Sequence, residues 1–375
     1  MTAQPFPEAG GPMAAGPHPA GPHPTGPMAA ASATPFAAGG AAPENRPTAL
    51  SHLLADVTPA AVHYRRNHYA YPTVDESTWR LPITGAVSTE VELTIRELRR
   101  MPVSTRRVLL ECAGHRRTEF QPPISGVQWG LGALSQADWS GVALADVLAL
   151  AGVRDDAVEV VLHGADRGRF PELDGVHSYS RSIPLAKALD PHTLLALDMN
   201  GATLPREHGA PVRAVVPGWY AMDSVKWLTA IEVVTSAFTG PYQELDYRFQ
   251  PAGETGIGAR LDVMPPHALF VSIADGDTLA SGHHEITGIA WAGHGVASVE
   301  VRVGAGPWEL AKITPGPDRY QRVVWRTVVD VTAGQPTVLA VRCTDDTGTT
   351  QPTELVWNRR GYVNNSVQTV RVNVV

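Results

Sequence analysis

Leu109-Leu110-Glu111-Cys112-Ala113-Gly114-His115-Arg116-Arg117 is the stretch on which the reading of this chain turns. An apolar run delivers a thiol to a strand end, Gly114 opens a turn, and two guanidinium groups follow. Fixed positive charge favours the thiolate, so the Cys112 sulfur is expected to be largely deprotonated near neutral pH, usable as a soft ligand or a nucleophile. A lone cysteine also serves as a small buried hydrophobe, but an apolar core has no use for Arg116 and Arg117.

Outward from this stretch, residues 49–260 mix α and β signals. Helices are expected over 94–100, 143–151 and 184–189, with Leu144, Val147 and Leu148 on one face of the second. Strands are expected over 107–111, 157–163, 212–216 and 225–234. No G-x-G-x-x-G follows a strand and no G-x-x-x-x-G-K-[ST] occurs, so dinucleotide and P-loop readings have no support. After Pro265-Pro266 the pattern alternates: Val299, Val301 and Val303 flank Glu300 and Arg302, and Val370, Val372 and Val374 flank Arg371 and Asn373. With runs at 269–273, 285–291, 308–313, 321–329 and 338–344, about seven short strands predict an immunoglobulin-like sandwich over 261–375. Cys343, Trp291, Trp308 and Trp325 are expected in its core. The fold class is therefore α+β, a mixed α/β domain followed by a β-sandwich. Residues 1–48, rich in Gly, Pro and Ala, read as a disordered leader that lacks the apolar surface to offset its ordering entropy.

Composition narrows the function. The chain has 375 residues, 43% hydrophobic and 18% charged, with a net charge of −7, which argues against a general nucleic-acid binder. Two distant cysteines make no disulfide framework and no C-x-x-C zinc or iron–sulfur pattern. No apolar run is long enough for a transmembrane helix, and no secretory signal pattern is visible, so a cytoplasmic location and no membrane partner are expected.

Polar clusters recur along the mixed domain: Tyr64-Arg65-Arg66-Asn67-His68, Cys112 with Arg116 and Arg117, and His163-Gly164-Ala165-Asp166-Arg167. The series continues with 204–213, Ser224-Val225-Lys226-Trp227-Leu228 and Asp246-Tyr247-Arg248. Together they resemble the sulfite oxidase family of molybdenum enzymes, which includes the molybdenum domain of plant-type nitrate reductases. The most specific element is Cys112-Ala113-Gly114-His115-Arg116-Arg117, followed by Gly126-Val127-Gln128-Trp129-Gly130-Leu131-Gly132-Ala133. Arg66-Asn67-His68, Asp198-Met199-Asn200-Gly201, 208–213, Val225-Lys226-Trp227-Leu228 and Trp357-Asn358-Arg359-Arg360-Gly361 support it in order and spacing.

The resemblance implies one molybdenum–molybdopterin per subunit, with Cys112 as the protein ligand to molybdenum and no haem, flavin or iron–sulfur cluster in this chain. It implies that Tyr64, Arg65, Asn67, His68, Asp166, His208, Arg213, Ser224, Val225 and Lys226 hold the pterin and its phosphate. It implies a sulfite pocket of Arg66, Arg117 and Arg360 with Trp129 as a wall and Tyr247 as a donor. Arg and Lys suit a phosphate or a small oxyanion, and Asp suits a ring with amino and imino donors. The sandwich is similar to the family's dimerisation domain, which implies a homodimer. With no haem, flavin or NAD module flanking the domain, electrons are expected to leave to an external acceptor, a cytochrome or oxygen.

Three positions depart from the pattern: His115 stands where asparagine is usual, Asp198 where glutamate is usual, and Glu207 where aspartate is usual. His115, beside the expected ligand, is expected to change the pocket's charge below about pH 6.5, and 217–223 is bulky enough to narrow the entrance. Three other readings stand beside sulfite oxidation. One is an oxotransferase acting on nitrate or a sulfoxide, another a thiol enzyme using Cys112 as nucleophile with a histidine base, and the third a binding module built on the sandwich.

Overall fold

The computed structural model describes residues 36–37, 43–316, 318–334 and 336–375. Most of the expected leader lies outside these residues. Its expected end at residue 48 is corrected: Asn45–Arg46 pairs antiparallel with Arg65–Arg66, Glu44 forms an ion pair with Arg65, and the Thr48 hydroxyl donates to Val62 O. The signal lay in charge complementarity across some twenty residues, invisible to local composition.

The mixed domain holds two five-stranded sheets. In the first the order is His177–Pro184, Glu159–Gly168, Leu228–Val234, Leu81–Gly85, Val91–Leu93, with one parallel pair between Leu228–Val234 and Leu81–Gly85. In the second Val103–Glu111 pairs with Leu134–Ala143, which pairs with Leu194–Met199. The last of these carries Ala202–Thr203 and Arg213–Val215. The expected helices form but are short. Thr94 caps Ile95–Leu98 with a reciprocal bond to Glu97. Leu144–Ala151 buries Leu144, Val147, Leu148 and Ala151 and ends at left-handed Gly152. Leu185–Ala188 is a single turn. None of the described helices is long and apolar enough to cross a membrane.

The sandwich follows from period-2 burial. Gln368–Val374 alternates buried and exposed at every residue. One sheet runs His267–Phe270, Gly282–Trp291, Val323–Val331, Lys312–Thr314; the other Thr278–Leu279, Gln368–Val374, Thr337–Asp345, Val296–Val303, Glu309–Leu310. Between them Val299, Val301, Trp325, Val341, Cys343, Val370 and Val372 form one core. Two of the tryptophans differ from expectation. Trp291 is buried, but in the core of the mixed domain. Trp308 is only half-buried, with the Arg302 and Arg342 guanidiniums 4.7 and 4.4 Å from its ring centroid, where cation–π attraction holds it on the outer face.

The connection between Thr337–Asp345 and Gln368–Val374 returns to the mixed domain. Val363 N donates to Ala113 O at 2.9 Å, and Asn364 Nδ2 to Arg116 O at 3.1 Å. The Cys112 turn is thus held from the sandwich side as well as by its own sheet.

Trp325 is fully buried, and its indole N–H donates to Ile289 O at 3.0 Å. Trp325→Ala removes a large core side chain and should cost about 3–5 kcal/mol, read as a lower urea midpoint for the sandwich. A loss below about 1 kcal/mol would contradict this core.

Candidate active site

The turn after Glu111 is built by backbone bonding to the segment that leads into Leu134–Ala143. Cys112 N donates to Ala133 O at 2.9 Å, Arg116 N to Gly130 O at 3.1 Å and Thr118 N to Trp129 O at 3.1 Å. Arg116 sits in the left-handed region at φ 59°, a conformation that a residue with a Cβ adopts only under local constraint. Gly114 has a separate reason: an added Cβ would lie 2.6 Å from Arg117 Nη2, so the missing side chain is the space into which Arg117 folds back.

Two adjoining cavities share Cys112, Arg66 and Tyr247. The deeper one is lined by Tyr64, His68, Asp166, His208, Arg213, Ser224, Val225 and Lys226 from the expected set, together with His63, Tyr179, Glu207, Ala221 and Met222. The outer one is lined by Arg117 and Arg360 from the expected set, with Glu172, Asp246, Arg359 and Tyr362. Side chains from stretches far apart in sequence thus converge on one thiol.

Several expected residues fall elsewhere. Arg65 does not line either cavity; its guanidinium grips the Glu44 carboxylate at 3.0 Å. Asn67 is buried behind the deeper cavity, where its Oδ1 accepts from Lys226 Nζ and its Nδ2 has no partner. Trp129 is buried in a cluster with Cys112 and Tyr64 and lines neither of these two cavities. Of the two arginines after Cys112 only Arg117 reaches a cavity. Its Nε donates to Gly361 O at 3.2 Å and its Nη1 to Val127 O at 2.9 Å, and the guanidinium lies 5.1 Å from the Tyr362 ring centroid. Arg116 instead pairs with Glu119 at 2.7 Å and donates to Ser366 O. His115 is not in the pocket; its Nδ1 lies 2.9 Å from Glu111 Oε1, so the expected change of pocket charge has no structural basis.

His63 was the nearest miss, since it directly precedes the Tyr64 cluster but carries no motif of its own. Glu172 had no sequence signal. Of the bulky 217–223 segment, Met222 lines the deeper cavity, while Asp223 is buried in an ion pair with Arg181 at 2.8 Å.

The electrostatics turn on burial. Burial pushes the Cys112 thiol up, and Arg66 and Arg117 oppose this only in part. The expected free thiolate is therefore corrected: desolvation outweighs the two guanidiniums, and deprotonation would come with ligation to a metal. Among the described residues no hydrogen bond joins Cys112 Sγ to a histidine, so the nucleophile–base contact of a thiol enzyme is missing. Burial also holds His63 and His68 well below the usual imidazole range and brings His208 to about 3. Burial raises the Asp166 carboxyl, against the pull of the Lys226 charge, and lowers the Lys226 ammonium, against that of Asp166. Gly164 makes room for this carboxylate, since a Cβ there would lie 2.8 Å from Asp166 Oδ1. Burial lowers Arg213 to about 10, which leaves it a cation at neutral pH. Its three hydrogen bonds all go to backbone carbonyls, those of Ala214, His208 and Ser224.

Residues 68–242 match the model of the oxidoreductase molybdopterin binding domain, and residues 262–375 that of the Mo-co oxidoreductase dimerisation domain. The chain is 34% identical over 339 residues to the mitochondrial sulfite oxidase of Homo sapiens, which covers 85% of this chain but only 62% of that protein. It is 32% identical over 342 residues to the sulfite oxidase of Arabidopsis thaliana, covering 83% of this chain and 86% of the relative. A nitrate reductase [NADH] of Ulva prolifera is 32% identical over 349 residues, covering 84% of this chain and 40% of that protein. Among solved structures, the sulfane dehydrogenase SoxCD from Paracoccus pantotrophus superposes with a TM-score of 0.74 at 28% identity, covering 86% of this chain and 83% of that one.

Two outcomes test the site as drawn. Gly114→Ala should displace the Arg117 guanidinium and weaken anion binding in the outer cavity, measured by titration with sulfate; unchanged affinity would contradict the packing. His63 is neutral when folded but titrates near pH 6.5 when unfolded, so it contributes stability above that pH that is lost as the pH falls. Urea unfolding between pH 6 and 5 should therefore show a slope shallower for His63→Gln than for the wild type by about 1.4 kcal/mol per pH unit. Equal slopes would show that His63 protonates in the folded protein.

Proposed function

This chain belongs to the sulfite oxidase family of molybdopterin oxidoreductases, and on that footing we propose that it oxidises sulfite to sulfate and passes the electrons to an external acceptor. The observation that supports the reading best is one of missing counter-ions. Among the described residues, Arg66, Arg117, Arg213 and Lys226 have no carboxylate within ion-pairing distance, yet all are buried or half-buried around Cys112. A buried cation without a partner is costly. Two anions, a cofactor phosphate in the deeper cavity and an oxyanion in the outer one, would complete the site.

The residues present fit molybdenum–molybdopterin. Arg213 and Lys226 suit a phosphate. Asp166, whose carboxyl lines the same cavity, offers acceptor oxygens to amino and imino donors. His63, which lines the deeper cavity, has a buried Nε2 without a partner that a polar ring could satisfy. Cys112 is the soft ligand. When bound, the group supplies a two-electron oxidant and the oxygen atom that converts sulfite to sulfate.

The chain's own residues then divide the work. Arg66 and Arg117 hold the oxyanion beside Cys112, where a low-dielectric setting strengthens each charge-assisted bond. Arg360, half-exposed and paired with Glu172 at 3.1 Å, forms the rim of the outer cavity and draws anions inward. Tyr247 Oη and His68 Nε2 share a 3.0 Å hydrogen bond. Because His68 is neutral, its Nε2–H can donate to the phenol oxygen, leaving the phenol proton free for the substrate. Tyr247 is held there at φ 37°, the left-handed backbone that often marks functional positions. The sandwich, matched by the dimerisation-domain model, joins two copies in this reading.

Holoprotein should turn over sulfite with cytochrome c or oxygen as acceptor and leave nitrate and dimethyl sulfoxide unreduced by a dye donor. Nitrate reduction without sulfite oxidation would move the chain to the other branch of its relatives. Cys112→Ser should abolish turnover. Arg66→Gln loses a charge-assisted contact of about 1.5–3 kcal/mol and should raise the KM for sulfite roughly 10- to 100-fold. An unchanged KM would remove Arg66 from the pocket. Arg213→Ala should instead lower the cofactor content of the purified protein.

A further inference from the structure

Successive residues of a strand point to opposite faces. While Cys112 faces the cavities, Glu111 turns into a closed polar cluster that the proposed reaction does not use. Glu111 is 0% exposed, and His115 and His267 are 1% exposed each. His115 Nδ1 lies 2.9 Å, and His267 Nε2 3.6 Å, from the same carboxylate oxygen, Glu111 Oε1. The other oxygen, Oε2, accepts a 2.9 Å hydrogen bond from Trp291 Nε1, and His267 stacks on the Trp291 ring with centroids 4.8 Å apart. One indole therefore fixes both the carboxylate and one imidazole. The hydrogen bonding is nevertheless incomplete: His115 Nε2 and both ring nitrogens of His267 are buried without a partner. A neutral imidazole keeps one nitrogen lone pair, and that of His267 has nothing to accept.

We infer that Glu111, His115 and His267 form a second metal site, separate from Cys112, that takes a divalent cation of the zinc class. The three residues offer donor atoms that all lie within 4.8 Å of one another. Donors around a tetrahedral zinc at about 2.0–2.1 Å stand roughly 3.3 Å apart, a spacing that the observed 2.9 and 3.6 Å bracket. Two imidazoles and one carboxylate favour zinc and its neighbours over magnesium or calcium, which prefer all-oxygen shells. The indole bond to Oε2 is the outer-shell contact that orients a ligating carboxylate.

The position gives the ion a structural task. Glu111 and His115 flank Cys112 in the mixed domain, whereas His267 opens the first strand of the sandwich. An ion among them ties the Cys112 turn to the sandwich. His115 is the residue that departs from the usual asparagine, whose neutral amide is a poor ligand, so the site is a property of this chain.

The test uses full-length holoprotein, dialysed and analysed for divalent metals and molybdenum. A chelator-stripped sample is then titrated with zinc sulfate while thermal unfolding is followed. Wild type should retain about one zinc-class ion per chain, and zinc should raise its Tm, as a ligand of the folded state does. His267→Gln and His115→Asn should lose both effects; the second places the family's usual residue in the site and guards against a variant that fails to fold. Absorption at the zinc edge should report two imidazole ligands. Wild type without a retained ion and with no larger zinc shift than His115→Asn would overturn the inference, as would full zinc retention by both variants. Molybdenum measured on the same samples keeps the two readings apart: molybdenum without zinc removes only this site, and zinc without molybdenum removes only the proposed function.

Discussion

Four basic side chains with no ion-pair partner among the described residues stand around one buried thiol, and the rest of the architecture accounts for how they can stand there. A guanidinium or ammonium out of water needs either a carboxylate or a set of fixed acceptors. The fold supplies acceptors: Arg117 uses the carbonyls of Val127 and Gly361, Arg213 those of Ala214, His208 and Ser224, and Lys226 the side-chain oxygen of Asn67. Carbonyls satisfy hydrogen bonds but carry no net charge. The site stays electropositive, which is the condition for holding two anions.

Keeping those carbonyls in place requires both domains. Gly361, Val363 and Asn364 belong to the connection between the sandwich strands Thr337–Asp345 and Gln368–Val374, and they meet Arg117, Ala113 and Arg116 of the Cys112 turn. The sandwich thereby does more than offer a surface to a second copy. It forms part of the scaffold that fixes where the Cys112 sulfur and the Arg117 charge point.

How much of this was legible in the sequence depends on the range of the interaction. The sandwich was legible because alternation is local: Val299 and Val301 face the core while Glu300 and Arg302, alternating with them, stay half-buried, as a pleated strand demands. The helix at Leu144–Ala151 was legible for the same reason, through its apolar face. Cys112, Arg66, Arg117, Lys226 and Tyr247 were legible because clusters of polar residues in otherwise apolar stretches resembled a known arrangement. Direction was not legible. Whether Arg116 or Arg117 reaches the cavity follows from a left-handed residue and the space at Gly114, and whether His115 faces the thiol follows from a carboxylate at Glu111 and an indole at Trp291. The protonation state of Cys112 was not legible, because neighbouring charges show in a sequence and desolvation does not. Nor was the partner of Arg65 legible, since Glu44 lies in a segment whose composition reads as leader.

The most direct measurement is molybdenum and pterin phosphate per chain in protein made in cells that assemble the cofactor. A cofactor anchored by Cys112 requires about one of each per wild-type chain, with molybdenum lost from Cys112→Ser while the chain remains folded. Correctly folded wild-type protein that emerges with neither would contradict that anchoring.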